Sequence, residues 1–77
     1  MVISELPLCS GQQATRVLER FGWVIRGERS HIILTKSGEP LHLSIPNHHE
    51  VDRYLLHQEL RKARISDKEF RRVFDEL

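Results

Sequence analysis

The chain has 77 residues, and its 12 Lys and Arg residues against 11 Asp and Glu residues give a formal net charge of +1. A chain of this length buries only about 60% of the surface that its unfolded form exposes, so we expect one small domain, 1–77, without a large enclosed substrate pocket. The near-neutral charge does not by itself indicate a nucleic-acid-binding protein. The one cysteine, Cys9, excludes an internal disulfide and a multi-thiolate zinc site.

The N-terminal sequence MVISELPLCSG contains neither a basic segment nor a long apolar run, so it predicts no signal peptide. No stretch of the chain approaches the roughly 20 apolar residues that are needed to span a membrane. Together with the lone cysteine, these features favour a reduced, cytoplasmic setting and no membrane partner.

The first predicted element is a helix over about residues 10 to 21. Ser10 is followed three residues later by Gln13, which is the pattern of a capping box. Apolar residues then recur at the spacing of one helix face: Ala14, Val17, Leu18 and Phe21. Gly22 can adopt the left-handed conformation that ends a helix, so the helix is expected to stop there.

Three strands are predicted next, at about residues 23 to 27, 30 to 36 and 40 to 45. Their β-branched and aliphatic residues are separated by Gly27 and by the sequence SGEP. The sequence LHLSI alternates apolar and polar residues, as does a strand with one buried face. Pro46 has no N–H for a ladder hydrogen bond and is expected to close the third strand, which completes an antiparallel meander.

Two helices are predicted after the strands, at about residues 51 to 63 and 67 to 76. Ser66 and Glu69 form a second capping-box pattern at the start of the last helix. The order α-β-β-β-α-α predicts an α+β domain, in which the helices pack on one face of a three-stranded antiparallel sheet. A double-stranded-RNA-binding domain has the same α-β-β-β-α order, although fold order alone does not establish a function.

His31, in the sequence RGERSHIILTKSG, is the first candidate for chemistry. Side chains alternate across a strand, so His31 and Ile33 lie on one face while Ile32 and Leu34 lie on the other. The spacing does not decide which face is buried. A lone histidine on a strand is more often structural or merely exposed than catalytic.

The remaining aromatic and imidazole groups favour structural roles. His48 and His49 are adjacent and have no further ligand at metal-site spacing, so we interpret PNHHE as a polar turn. Trp23 is expected to pack between the first helix and the sheet rather than to stack on a base.

Basic residues flank the predicted His31 strand at Arg26, Arg29 and Lys36. They are equally compatible with an ordinary mixed-charge surface and with a patch that contacts phosphates. Composition alone therefore leaves both interpretations open.

Four stretches are informative when taken in order: LPLCSGQQATRVLERFGW, RGERSHIIL, LSIPNH and LRKARISDKEF. Together they resemble the HicA (YcfA-like) mRNA interferase toxins of type II toxin–antitoxin systems along almost the whole chain. Each motif is weak by itself, whereas their order and spacing are fairly specific. Arg29, Tyr54-Leu55 and Arg64 stand where the family has glycine, Gly-Thr and glycine, respectively.

The resemblance implies a metal-independent endoribonuclease that cleaves mRNA and needs no cofactor. His31 falls on the family's catalytic histidine, and His48 falls on the histidine of its Pro-x-His motif. The predicted RNA-contacting residues are Arg26, Arg29, Ser30, Lys36 and His48. RNA carries its own nucleophile, the 2′-hydroxyl, and a histidine side chain in water has a pKa of about 6.5, which suits proton transfer near neutral pH.

The resemblance also implies a partner, a HicB-like antitoxin that covers the active surface. The departures from the family pattern, above all Arg29, leave an alternative open. In this alternative, the chain is a catalytically inactive module on the same fold that binds RNA or only an antitoxin-like chain. An inactive RNA-binding module is expected to show salt-dependent RNA binding without cleavage.

Overall fold

The computed structural model describes residues 5–77. The elements follow in the order α1 (Gly11–Arg20), β1 (Val24–Glu28), β2 (His31–Thr35), β3 (Leu43–Pro46), α2 (Arg53–Ala63) and α3 (Asp67–Glu76). The strands form one antiparallel sheet in the order β1-β2-β3. The predicted α+β class and element order, which are those of a double-stranded-RNA-binding-like fold, are confirmed. None of these helices is long and apolar enough to cross a membrane.

The capping box predicted for α1 is present. The Ser10 hydroxyl accepts a hydrogen bond from the Gln13 amide at 3.0 Å, and the Gln13 side-chain oxygen accepts one from the Ser10 amide at 2.8 Å. The helix ends before Gly22, whose φ of +93° is a left-handed conformation that glycine adopts at little cost. The first predicted helix is therefore confirmed, together with its start and stop signals.

The sheet has one buried and one open face. On β2, Ile32 and Leu34 are fully buried, whereas His31 is exposed and Ile33 is only half-buried. The alternation of side chains along the strand thus sends the two aliphatic residues into the core. This decides the question that the spacing left open, and His31 stands on the open face.

The core lies between the buried sheet face and the helices. α1 and α2 contact the sheet directly, and α3 packs mainly against α1. Trp23 is only 2% exposed and belongs to this core, which confirms its predicted structural role. It is therefore not available for stacking on a base.

Two element boundaries differ from the prediction by more than one residue. β3 begins at Leu43 rather than at residue 40, because Pro40 cannot donate a ladder hydrogen bond and Leu41 remains 53% exposed outside the sheet. α2 begins two residues later than predicted, because the Asp52 carboxylate accepts a hydrogen bond from the Tyr54 amide at 2.9 Å and caps the helix there.

The first residue of α1 lies directly against the end of β3. The Gly11 amide donates a hydrogen bond to the carbonyl oxygen of His48 at 2.9 Å. A Cβ atom on Gly11 would overlap the carbonyl oxygen of Pro46, which is backbone and cannot move aside cheaply. The junction between α1 and β3 therefore requires a glycine.

We expect Gly11→Ala to destabilise the protein by more than about 1 kcal/mol, even though alanine is the better helix former, because the added methyl group collides with the Pro46 backbone. The matched control is Gly27→Ala, since a Cβ atom on Gly27 meets no atom within 4 Å. Urea unfolding of both variants measures the difference. Equal stabilities for the two variants would contradict the close approach.

Candidate functional site

His31 begins β2 and lies opposite Pro46 of β3. Its imidazole is exposed, and the Ser30 hydroxyl oxygen lies 3.5 Å from Nδ1, which is a long contact. Among residues 5–77 the ring has no other hydrogen-bond partner. The imidazole is therefore accessible to a ligand that approaches the open face of the sheet.

The turn between β1 and β2 is tied on two sides immediately before His31. Within the turn, the Arg29 amide donates to the His31 carbonyl oxygen at 3.1 Å. From the end of β3, the Asn47 amide donates to the Ser30 carbonyl oxygen at 2.9 Å, and the Asn47 side-chain Nδ2 donates to the Arg29 carbonyl oxygen at 3.1 Å. The carbonyl groups of both turn residues are thus hydrogen-bonded.

Gln12, in the first turn of α1, extends this network to the helix. Its Nε2 donates to Oε1 of Glu28 at 2.9 Å and to Oδ1 of Asn47 at 3.2 Å. A surface groove of about 530 Å³ runs alongside, and its lining residues are Ser10, Gln12, Asn47, His48 and His49. The predicted polar turn PNHHE forms one wall of this groove.

Three of the predicted RNA-contacting residues lie around His31. Arg29 and Ser30 form the turn before it, and His48 follows two residues after Pro46, the strand partner of His31. Arg29 is exposed and forms no ion pair within residues 5–77, so its guanidinium is available to an anion. The backbone of the sheet thus places Arg29, Ser30, His31 and His48 near the same end of the paired strands β2 and β3.

The other two predicted RNA-contacting residues, Arg26 and Lys36, lie toward the opposite end of β2. The Nε of Arg26 donates to the Thr35 hydroxyl at 2.9 Å, and Thr35 is four residues along the strand from His31. That separation is about 13 Å at the rise of a β-strand. Lys36 follows Thr35, and its side chain lies beside Gly22. The predicted set therefore divides into two groups.

The sequence reasoning did not find a β-bulge in β1. The register shifts between Ile25 and Gly27, so Arg26 is an extra residue without a partner on β2. A bulge redirects the side chain that it carries, and here it lets the Arg26 guanidinium reach Thr35 on the open face. Gly27, which follows Arg26, is the one local signal in the sequence for this bulge.

The match to a family model covers residues 11–65, which is more than half of the 77-residue chain, and the model describes the HicA toxin of bacterial toxin–antitoxin systems. The chain belongs to the HicA toxin family. Searches of curated proteins and of solved structures return no match. Membership makes this HicA chain a toxin of a toxin–antitoxin system, and the matched range includes His31 and four of the five residues that line the groove.

A second histidine of this HicA chain, His57, was not singled out by any sequence motif. It is only 8% exposed, and its Nδ1 lies 2.8 Å from a carboxylate oxygen of Asp67, which can only accept the hydrogen bond. The pair joins α2 to the first residue of α3. The position of His57 three residues before the buried Leu60 is the local signal that could have indicated burial.

We expect His57→Leu to lower the free energy of unfolding by about 1–3 kcal/mol, because it leaves the Asp67 carboxylate, whose side chain is only 10% exposed, without its donor. The control His42→Leu changes an exposed histidine and should shift stability by less than about 0.5 kcal/mol. Chemical denaturation measures both. If the two variants were equally stable, the pair would not hold α3 in place.

Proposed function

We propose that this HicA toxin is a metal-independent endoribonuclease that cleaves mRNA in the cytoplasm, with His31 as its general acid or base. The observation that carries the proposal is the accessible imidazole of His31 on the open sheet face, two residues after the exposed Arg29, whose guanidinium forms no ion pair within residues 5–77. Membership of a toxin family supports an activity that harms the cell in which it is made, and mRNA cleavage is such an activity.

The proposed reaction needs few groups from the protein. His31 accepts the proton of an RNA 2′-hydroxyl, whose oxygen attacks the adjacent phosphorus while the P–O5′ bond breaks. The 5′ oxygen takes up a proton from water as it leaves, and the products are a 2′,3′-cyclic phosphate and a 5′-hydroxyl. A positioned acid or base typically contributes about 10²–10⁴-fold to a rate, and this step needs no cofactor.

In this proposal the two groups of polar residues have different tasks. Arg29, Ser30 and His48 surround the scissile phosphate, where Arg29 stabilises the charge that develops in the transition state. Arg26, whose guanidinium contacts Thr35, and Lys36, which follows Thr35, lie toward the other end of β2 and contact other phosphates of the same RNA. The open surface suits a polymeric substrate, because the described chain has no deep enclosed pocket at His31.

A toxin of a toxin–antitoxin system has an antitoxin partner, and we propose that the partner here is HicB-like. The open face around His31, with the half-buried Ile33 next to it, is the surface that such a chain would cover. Occlusion of His31 then inhibits cleavage without any change in the toxin fold.

The decisive variant is His31→Ala, with the exposed His42→Ala as its matched control. Wild type and His42→Ala are expected to cleave RNA in EDTA, whereas His31→Ala should lose at least about 10²-fold in rate while remaining folded. Gel analysis of a labelled RNA and circular dichroism provide the two measurements. Undiminished cleavage by purified His31→Ala would refute the role of His31.

The same assay distinguishes the alternative function. If wild type binds RNA with a salt-dependent affinity but produces no fragments at any enzyme concentration, the chain is a non-catalytic RNA-binding module. If it neither binds nor cleaves RNA, the antitoxin-binding module is favoured.

Arg29→Ala and Arg26→Ala form a matched pair that separates the two groups of cations. Each should reduce the slope of log affinity against log salt by about 0.7 for single-stranded RNA, since each removes one phosphate contact. Only Arg29→Ala should also slow cleavage at saturating RNA, by about 10-fold or more. A larger loss of cleavage rate in Arg26→Ala would place the scissile phosphate at the other end of β2.

A further inference from the structure

We propose that Asn47 is a positioning residue that, together with Gln12, fixes the turn carrying Arg29 and Ser30 and thereby the imidazole of His31. Its consequence for catalysis rests on the proposed function. Asn47 does not itself contact the imidazole, and its role follows from what its backbone and its side chain hold.

Asn47 is the point at which three elements meet. Its backbone amide holds the Ser30 carbonyl at 2.9 Å, and its side-chain Nδ2 holds the Arg29 carbonyl at 3.1 Å. Its side-chain Oδ1 accepts from Nε2 of Gln12 at 3.2 Å. The end of β3, the β1–β2 turn and the first turn of α1 are therefore joined through one amide side chain.

The amide side chain of Asn47 makes both of these contacts at once, with Nδ2 as the donor and Oδ1 as the acceptor. The Arg29 carbonyl requires a donor, and the Gln12 Nε2 requires an acceptor. A carboxylate has no donor for the first contact, and an aliphatic side chain has neither group. Asn47 is exposed and lies outside the core, so these hydrogen bonds are the contacts that its side chain contributes.

The turn depends on such contacts because little else holds it. Arg29 and Ser30 are both exposed, so no apolar packing fixes their conformation. Within residues 5–77, the turn's own contacts are the 3.1 Å bond from the Arg29 amide to the His31 carbonyl and the long 3.5 Å contact between the Ser30 hydroxyl and His31 Nδ1. Catalytic groups must be held within roughly 0.5 Å of the productive geometry, and a displacement of about 1 Å can cost about 10²-fold in rate.

The test uses neutral variants, so that changes in RNA binding through added charge do not enter. Asn47→Leu removes both side-chain hydrogen bonds at similar size, and Gln12→Met removes the donor to Asn47 while keeping a good helix former. The matched control is Gln58→Met, because Gln58 is exposed on α2 and makes no side-chain hydrogen bond within residues 5–77. Circular dichroism and thermal unfolding establish the folded fraction of each variant.

Two measurements are made on each variant: amide hydrogen exchange at Arg29, and single-turnover cleavage at saturating RNA with a separate binding titration. The Arg29 amide, which donates to the His31 carbonyl, should exchange about 10-fold faster in Asn47→Leu, because loss of the Asn47 bond to the Arg29 carbonyl makes opening of the turn easier by about one hydrogen bond. This variant should also slow cleavage by about 10-fold or more while the affinity for RNA changes little. Gln12→Met should change the exchange rate and the cleavage rate in the same directions but by smaller factors. Gln58→Met should match wild type in both rates.

Exchange at Arg29 that stays at the wild-type rate in Asn47→Leu would overturn the inference. So would a cleavage rate that falls only in proportion to the folded fraction, which is the signature of a merely structural residue. If wild type itself fails to cleave RNA, the proposed function fails, and the exchange measurement still decides whether Asn47 fixes the turn.

Discussion

The close approach of α1 to the end of β3 is the constraint on which the arrangement around His31 depends. Because Gly11 carries no side chain, the helix begins in contact with the Pro46 carbonyl, and the Gly11 amide bonds to His48. This contact brings Gln12 next to Asn47, and Asn47 in turn holds the turn before His31. The absence of a Cβ atom at position 11 thus permits the hydrogen bonds that reach the turn before His31.

The second general feature is the unequal use of the two sheet faces. In a chain of 77 residues the helices supply enough apolar surface to cover one face, and α1 and α2 do so while α3 packs mainly against α1. The buried pair of His57 and Asp67 anchors the start of α3. The opposite face remains open, and this places His31 and the Arg29 guanidinium where a polymer can reach them.

Local signals in the sequence were sufficient for most of the elements. The helix boundaries at the capping boxes of Ser10 and Ser66 follow from side chains that bond to amides three residues away, which is an interaction within a single turn. The predicted start of β3 was wrong because Leu41 fits the alternation of apolar and polar residues, although this exposed residue has no strand partner. Alternation describes a side chain's direction, but strand pairing requires a neighbour distant in the sequence.

By itself, then, the sequence determined the element order, the caps and the HicA resemblance that singled out His31, because all of these depend on neighbouring residues or on short ordered motifs. Only the tertiary structure decided that His31 faces outward, that Arg26 sits in a bulge and contacts Thr35, and that Asn47 joins α1 to the β1–β2 turn. The physical reason is the distance along the sequence between the residues that interact. Those features arise from register and from hydrogen bonds between residues separated by up to 35 positions, which no local pattern encodes.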